Sequence, residues 1–290
     1  MVRDFFPVDE SAKGISLLIL VISVSPLFAP TRGSLIRSNA GWPWIFAVLA
    51  GYALILVAVL AFVLPEGHKP DRGISLHPAA IIGEFRTIIA LPQFFVYAIA
   101  GAFSFAGLFV YVTGAPIIFL GAYHLDRTAF GLVFAGLACA FIGGSQLNIL
   151  LSRWHQSERI FKIALICQTI IIAVILVGTW RGWYGLPSNI VLLLLYLPFC
   201  GVAYPNAAAL ALAPFDRNIG SASALLGFLQ MVIGAFASTG VGLFHATSSL
   251  PIYAVMTVSA LLGLVILLAS QKSLAAATPP QDDGTSGVTH

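Results

Sequence analysis

Residues 160–180, IFKIALICQTIIIAVILVGTW, hold one charged side chain, Lys162, in an otherwise apolar run. At 1.5 Å per residue, an α-helix of this length spans about 30 Å, the thickness of the hydrocarbon core of a bilayer. The apolar residues follow one another without the period-two alternation of a membrane β-strand. The stretch therefore predicts a transmembrane α-helix.

The rest of the chain has the same character. Of the 290 residues, 59% are hydrophobic and 9% are charged, against roughly 25% charged in a soluble domain, and the mean hydropathy is +0.97. A bilayer solvates this much apolar surface directly, provided that helices pair their own backbone polar groups. We predict an all-α polytopic membrane protein with about eight transmembrane helices, at residues 15–35, 44–64, 94–120, 129–151, 160–180, 190–212, 221–244 and 252–269.

Polar segments divide these helices into two groups. The predicted organisation is a short N-terminal segment without a signal-peptide cleavage site, two helices, a long polar connection, six helices and a disordered tail. Apolar residues recur at helical spacing between positions 80 and 89 of the connection, which is typical of a helix on the membrane surface or of an amphipathic lead-in to the next span. The five segments are residues 1–14, 15–64, 65–92, 93–270 and 271–290.

Basic residues are unequally divided by this topology. The side that is richer in lysine and arginine is predicted to be cytoplasmic, and both termini lie on it. That side carries Arg3, Lys13, Lys69, Arg72, Arg86, Arg153, Arg159, Lys162, Arg217 and Lys272, and the other carries Arg32, Arg37, Arg127 and Arg181.

The sequence shows no pattern of an enzyme or a metal site. Cys139, Cys167 and Cys200 lie singly in apolar runs, and there is neither a Walker A motif nor a combination of nucleophile and base. All eleven acidic residues lie in loops, at helix ends or in the tail, so no carboxylate is placed to relay a proton at mid-membrane. We expect no catalytic residue, no metal or cofactor, and no nucleic acid partner.

Two predicted helices carry stripes of small and polar side chains. Such a stripe is typical of close helix packing or of a cavity wall. Packing is favoured for the glycines, and both interpretations stay open for the tyrosines and Gln230. The third helix carries Tyr97, Gly101, Ser104, Leu108, Tyr111 and Ala115, and the seventh carries Ser223, Gly227, Gln230, Gly234 and Ser238.

The other helices differ in polarity. The fifth and eighth are almost uniformly apolar and are predicted to face lipid. The sixth contains Pro198 and the run Tyr204-Pro205-Asn206, so it is predicted to kink or unwind, with Asn206 in a buried hydrogen-bonding role. The fourth ends in GGSQLN, residues 143–148, for which packing is expected.

Three stretches resemble the Bcr/CflA branch of the drug:proton antiporters of the major facilitator superfamily. Residues 204–234 include Pro205-Asn206-Ala207, ALAPF and GSASALLGFLQ, and residues 109–153 include Tyr111, Pro116 and GSQLN. The run SPLFAPTRG, residues 25–33, is similar to the proline and glycine motif of antiporters, with Arg32 at a position expected to be small or apolar.

The resemblance implies the major facilitator fold, with twelve helices in two bundles of six. This chain would then hold eight of them, without the proton-coupling residues of the first four. The intact relative would lie in a bacterial inner membrane and export amphipathic drugs or metabolites, such as bicyclomycin or chloramphenicol, in exchange for protons.

In that scheme Tyr97, Ser104, Tyr111 and Asn206 contact the substrate, and Gln230 lies between the two bundles. Pro26, Pro30, Pro116 and Pro205 are the implied kink or gating positions. Two alternatives stay open: a truncated fragment that cannot transport, and a permease for another small molecule.

Overall fold

The computed structural model describes residues 33, 35–36, 39–62, 77–215, 218–243 and 248–271. Among these residues the chain forms eight α-helices and one π-helical turn, so the predicted all-α class is confirmed. They are α1 (Pro43–Phe62), α2 (Pro78–Ala90), α3 (Pro92–Pro116) with the π-helical turn Ile117–Ala122, α4 (Arg127–Leu151), α5 (Ser157–Trp180), α6 (Leu186–Leu212), α7 (Ile219–Leu243) and α8 (Leu250–Ala269).

Seven of the described helices, all except α2, are long and apolar enough to cross a membrane. They correspond to the second to eighth predicted spans, with ends that differ by a few residues, and they confirm a polytopic helical protein. The first predicted span, residues 15–35, lies almost wholly outside the described residues. So do Pro26, Pro30, residues 1–14 and most of the tail.

Several helices begin at a proline, which explains their sharp starts. The first backbone N–H groups of a helix have no partner within it, so a residue without an N–H fits there at no loss. Pro43 opens α1, and prolines also stand in the first turns of α2, α3, α6 and α8. The start of α4 uses a different device, because the Asp126 carboxylate accepts a hydrogen bond from Ala129 N at 2.9 Å.

The chain separates into two compact units, Met1–Leu76 and His77–His290, with α1 in the first and α2 to α8 in the second. The boundary falls within the polar connection, residues 65–92. Beyond it, α2 forms the short helix that the apolar spacing predicts. Ile88 of α2 is 1% exposed and belongs to an apolar cluster shared with α3, α5, α6 and α7.

In the second unit α3 and α6 are the central helices. The helix α3 packs against α6, α7 and α8, while α6 packs against α3, α4 and α5. Two apolar clusters fill the interior, one around Phe94 and Phe161 next to α2, and the other around Phe119, Tyr196 and Tyr253 at the opposite end. The candidate site is built around these two central helices.

The prediction that the fifth and eighth spans face lipid is wrong for one face of each. Leu165 and Gln168 of α5 are fully buried, and so are Tyr253 and Met256 of α8. Each helix also keeps an exposed apolar face. Their polar residues are too few to reveal the buried face in a one-dimensional pattern, because in a membrane both faces are apolar.

Candidate functional site

An aromatic surface lies where α3 meets α6, formed by Phe105, Phe109 and Tyr204. The Phe105 ring lies 5.3 Å edge-on from Phe109 and 4.7 Å from Tyr204, between ring centres. Phe105 and Phe109 are half-buried, and Tyr204 is 38% exposed. Gly234 brings α7 against the same rings, because a Cβ there would lie 2.6 Å from Phe109 Cδ2. Three helices thus meet at a surface that offers aromatic faces.

Three buried side-chain polar atoms have no hydrogen-bond partner among the described residues, and besides Thr179 Oγ1 on α5 two of them lie on α3 and α7. These two are the Tyr111 hydroxyl on α3 and Gln230 Nε2 on α7. Tyr111 stacks on Phe134 of α4 at 6.0 Å, with an interplanar angle of 12°. Because a buried polar group without a partner is unfavourable, both atoms are available to a ligand or a water molecule.

A polar cluster crosses the middle of the bundle between α3, α5 and α6. Ser104 Oγ donates to Gln168 Oε1 at 2.7 Å, and Gln168 Nε2 donates to the Ser104 carbonyl at 3.0 Å. The same nitrogen lies 3.1 Å from Tyr196 Oη and 3.2 Å from Cys200 Sγ. Gln168 is fully buried, so this cluster ties three helices together where water is excluded.

The helices α4 and α6 touch through their backbones. A Cβ on Gly144 would lie 2.2 Å from the Pro198 carbonyl oxygen, and one on Gly201 would lie 2.2 Å from the Phe141 carbonyl oxygen. Only glycine allows such an approach. The contact brings the predicted GGSQLN segment against α6, so the packing interpretation of that segment is confirmed.

The close contact also compensates for the proline inside α6. Pro205 has no N–H, so the Gly201 carbonyl lacks its usual helical donor. Ser145 Oγ donates to that carbonyl at 3.1 Å. Asn206 Nδ2 donates to Asn148 Oδ1 and, at 2.8 Å, to the Val202 carbonyl. The predicted buried role of Asn206 is confirmed, and its partner lies on α4.

A second polar cluster joins the opposite end of the bundle. Tyr253 of α8 donates to Asn189 Oδ1 at 2.6 Å, and Asn189 Nδ2 donates to Tyr123 Oη at 3.0 Å. Tyr123 in turn donates to the Tyr184 carbonyl at 3.4 Å. Burial raises the pKa of the Tyr123 phenol, and the hydrogen bond from Asn189 offsets part of this rise. The hydroxyl is therefore protonated and can act as a donor.

The five residues predicted to line a substrate pathway are all buried. Tyr97, Ser104 and Tyr111 share one face of α3, as their spacing predicts, and Tyr97 packs edge-on against Phe161 at 6.0 Å. Asn206 and Gln230 lie on α6 and α7. None of the five is more than 5% exposed. In this conformation Ser104 and Asn206 bond to neighbouring helices, while Tyr111 and Gln230 keep unpaired polar atoms.

The two described prolines of the predicted gating set differ in their surroundings. Pro116 lies where α3 changes from α-helical to π-helical winding. Pro205 lies within a helix that stays α-helical from Leu186 to Leu212; the predicted kink of α6 stays a prediction, while the alternative, unwinding, is absent. The physical reason is the donor that Ser145 supplies across the α4–α6 contact.

Carboxylates are scarce in the described part of the chain. Glu84 lies in α2, Asp126 caps α4, and Glu158 stands in the first turn of α5. No group of three or more His, Cys, Asp or Glu residues is placed there to hold a metal ion.

The sequence analysis missed Gln168, Asn189 and the aromatic surface. Gln168 had a usable signal, because a lone amide in a transmembrane run needs a buried partner. Asn189 lies one position before the predicted start of its span and was therefore assigned to a loop. The proximity of Phe105 and Tyr204 depends on the packing of α3 against α6, which no local pattern encodes.

Comparisons with known proteins show which family the chain is similar to. The sequence profile described as Major Facilitator Superfamily matches residues 1–239. The chain is 30% identical over 244 residues to the bicyclomycin resistance protein homolog of Haemophilus influenzae, covering 81% of this chain and 59% of that protein.

Two further relatives match more of the chain. An uncharacterized MFS-type transporter of Bacillus subtilis, YdgK, is 29% identical over 266 residues, covering 91% of this chain and 65% of its own length. The multidrug resistance protein MdtL of Shewanella oneidensis is 25% identical over 275 residues, which cover 94% of this chain and 68% of that protein. The chain thus spans about two thirds or less of the length of these relatives.

Proposed function

The chain belongs to the major facilitator superfamily, and from that premise we propose that it supplies the substrate-contacting bundle of an exporter of amphipathic or cationic drugs and metabolites. The aromatic surface of Phe105, Phe109 and Tyr204 is the observation that carries this proposal. Aromatic faces attract organic cations and pack against apolar rings, and they do not require one fixed pattern of hydrogen bonds. A broad substrate range follows from such a surface.

The names of two relatives also support drug export. One is called a bicyclomycin resistance protein homolog and another a multidrug resistance protein. We propose export in exchange for protons, across a bacterial inner membrane, with both termini in the cytoplasm. Among the described residues, no carboxylate lies in the middle of a helix that is long and apolar enough to cross a membrane, so the proposal assigns proton binding to groups outside them.

The five buried residues enter the proposal as pathway residues. A transporter that alternates its access must change the packing of its helices, and that change would expose side chains that are buried in one state. Tyr111 and Gln230 have unpaired polar atoms and would contact a substrate first. Tyr97, Ser104 and Asn206 would contact the substrate next. The helices α3 and α6 would bend at Pro116 and Pro205.

The test is an efflux assay in a drug-hypersensitive bacterium. The 290-residue chain and a form extended by any in-frame upstream coding sequence are expressed, and efflux of a fluorescent organic cation is measured. In the active form, Phe105→Ala or Tyr204→Ala should weaken apparent affinity for the dye about 5- to 30-fold, the size of a desolvated cation–π contact. Phe236→Ala, at an exposed phenylalanine elsewhere on α7, is the control and should change nothing.

Three outcomes would contradict the proposal. Unchanged efflux in both aromatic variants at equal expression removes the role of the surface. Dye accumulation instead of loss indicates an uptake permease. Absence of transport of any tested drug by either form indicates a fragment that does not transport.

A further inference from the structure

A groove opens on the outer side of the bundle between the end of α4 and the start of α5. Its volume is about 170 Å³, and Leu147, Ile163, Pro198 and Phe199 are among its walls. The groove exists because α4 and α5 each pack against α6 rather than against each other. The surface of α6 around Pro198 is therefore left as its floor, and every side chain of this floor is apolar.

One end of the groove carries a guanidinium and an imidazole. Arg159 and His155 belong to its walls, and both are exposed. Arg153 lies in the same turn as His155, and the nearest carboxylate in sequence, Glu158, is not part of the groove. Neither Arg159 nor His155 forms an ion pair within residues 77–215, 218–243 and 248–271. Among the described residues, this end therefore has a cationic rim in which the Arg159 guanidinium has no carboxylate as an ion-pair partner.

The start of α5 adds to this rim. Gln156 precedes the helix without a side-chain hydrogen bond to its first N–H groups, so these donors lie at the rim, beside the Glu158 carboxylate of the first turn, which offsets part of the helix dipole. The exposed indole of Trp154, 69% accessible, stands in the same turn. Tryptophan at this position is typical of the level of lipid headgroups. The cationic rim would then lie at headgroup depth and the apolar groove below it, within the acyl chains.

We propose that this groove binds one anionic phospholipid. A segment of one acyl chain fills the apolar space between Leu147, Ile163 and Phe199, since the volume is too small for more. The lipid phosphate accepts hydrogen bonds from the Arg159 guanidinium and from a ring N–H of His155. The distribution of basic residues predicts that this end of the bundle faces the cytoplasm, where the leaflet carries anionic lipid.

The site would bear on the packing of α4 against α6. Leu147 is adjacent to Asn148, which accepts the hydrogen bond from Asn206, and Pro198 is the residue that Gly144 touches. A lipid seated in the groove would hold α4, α5 and α6 in this arrangement. The inference concerns binding alone, so it stands or falls independently of the proposed transport.

The experiment uses the full chain purified in detergent with equal amounts of phosphatidylglycerol and phosphatidylcholine. Retained lipids are counted by native mass spectrometry. The wild type should keep phosphatidylglycerol in preference, and Arg159→Gln should reduce that preference about fivefold, which corresponds to about 1 kcal/mol for one basic residue at the membrane surface. Arg181→Gln removes the same charge at the other end of α5, where Arg181 lies over the Trp180 and Trp183 rings, and should have no effect.

A second pair of variants tests the acyl chain. Ile163→Trp should fill the groove and release phosphatidylglycerol, while Ile170→Trp, at an exposed position of the same helix away from the groove, should not. An equal concentration of inorganic phosphate should fail to displace the lipid. An unchanged lipid preference in Arg159→Gln, equal retention in both tryptophan variants, or full displacement by phosphate would each overturn the proposal.

Discussion

Replacing Gly144 with alanine should push α4 away from α6. The added Cβ would lie 2.2 Å from the Pro198 carbonyl oxygen and 2.5 Å from Pro198 Cα, so one helix must retreat by about 1 Å to restore normal contact. Backbone atoms cannot move aside as a flexible side chain can. The retreat would also lengthen the Ser145–Gly201 hydrogen bond from 3.1 Å to beyond bonding distance. The substitution thus removes more than one contact.

The expected loss in free energy of unfolding is about 2–4 kcal/mol. Overpacking contributes about 1–3 kcal/mol, and each interhelical hydrogen bond in a membrane protein contributes about 0.6 kcal/mol. In a thermal unfolding assay in detergent, the midpoint should fall by about 5–15 °C.

The matched control for this substitution is the preceding residue. An added Cβ on Gly143 meets no atom within 4 Å, so Gly143→Ala should be neutral or stabilise the helix by up to about 1 kcal/mol. Equal midpoints for the Gly143 and Gly144 variants would refute the argument that the backbones of α4 and α6 are in contact.

Two further substitutions test the buried polar contacts. Ser145→Ala leaves the Gly201 carbonyl without a donor and should lower the free energy of unfolding by about 1 kcal/mol. The loss should be much smaller in a Pro205→Ala background, because the helix then supplies its own N–H to that carbonyl. Equal losses in both backgrounds, measured as a double-mutant cycle, would show that Ser145 does not act through this hydrogen bond. Gln168→Leu should lower the unfolding free energy by about 1–2 kcal/mol, because Ser104 Oγ loses its acceptor and the Tyr196 hydroxyl loses the donor on Gln168. Gln168→Leu with Tyr196→Phe should recover part of this loss, whereas full additivity would contradict the network.

The membrane-crossing helices could be predicted from sequence because the local composition of a segment decides whether it enters a bilayer. The apolar runs place α1 and α3 to α8 within a few residues of their observed ends, and the spacing of residues 80–89 indicates α2. The stripe on α3 correctly indicates the face turned towards other helices. Local composition and periodicity are sufficient for these features.

The partners of these faces could not be predicted in the same way. Pro205 implies a missing donor, but nothing near it in sequence shows that Ser145 would supply one from a different helix. Unwinding, one of the two alternatives predicted for α6, is absent for this reason. Likewise Gln168 finds Ser104 sixty-four positions away, a pairing that depends on how α3 and α5 meet α6. Such contacts follow from the tertiary packing and are absent from the local pattern.

The π-helical turn after Pro116 makes the end of α3 sensitive to its own winding. A π turn holds about one residue more than an α turn, so rewinding Ile117–Ala122 as α-helix would rotate Tyr123 by about 100° about the axis. Tyr123 would then lose the hydrogen bond from Asn189, which also accepts one from Tyr253. Rewinding this turn would thus uncouple the end of α3 from α6, while Asn189 would keep the hydrogen bond from Tyr253 of α8.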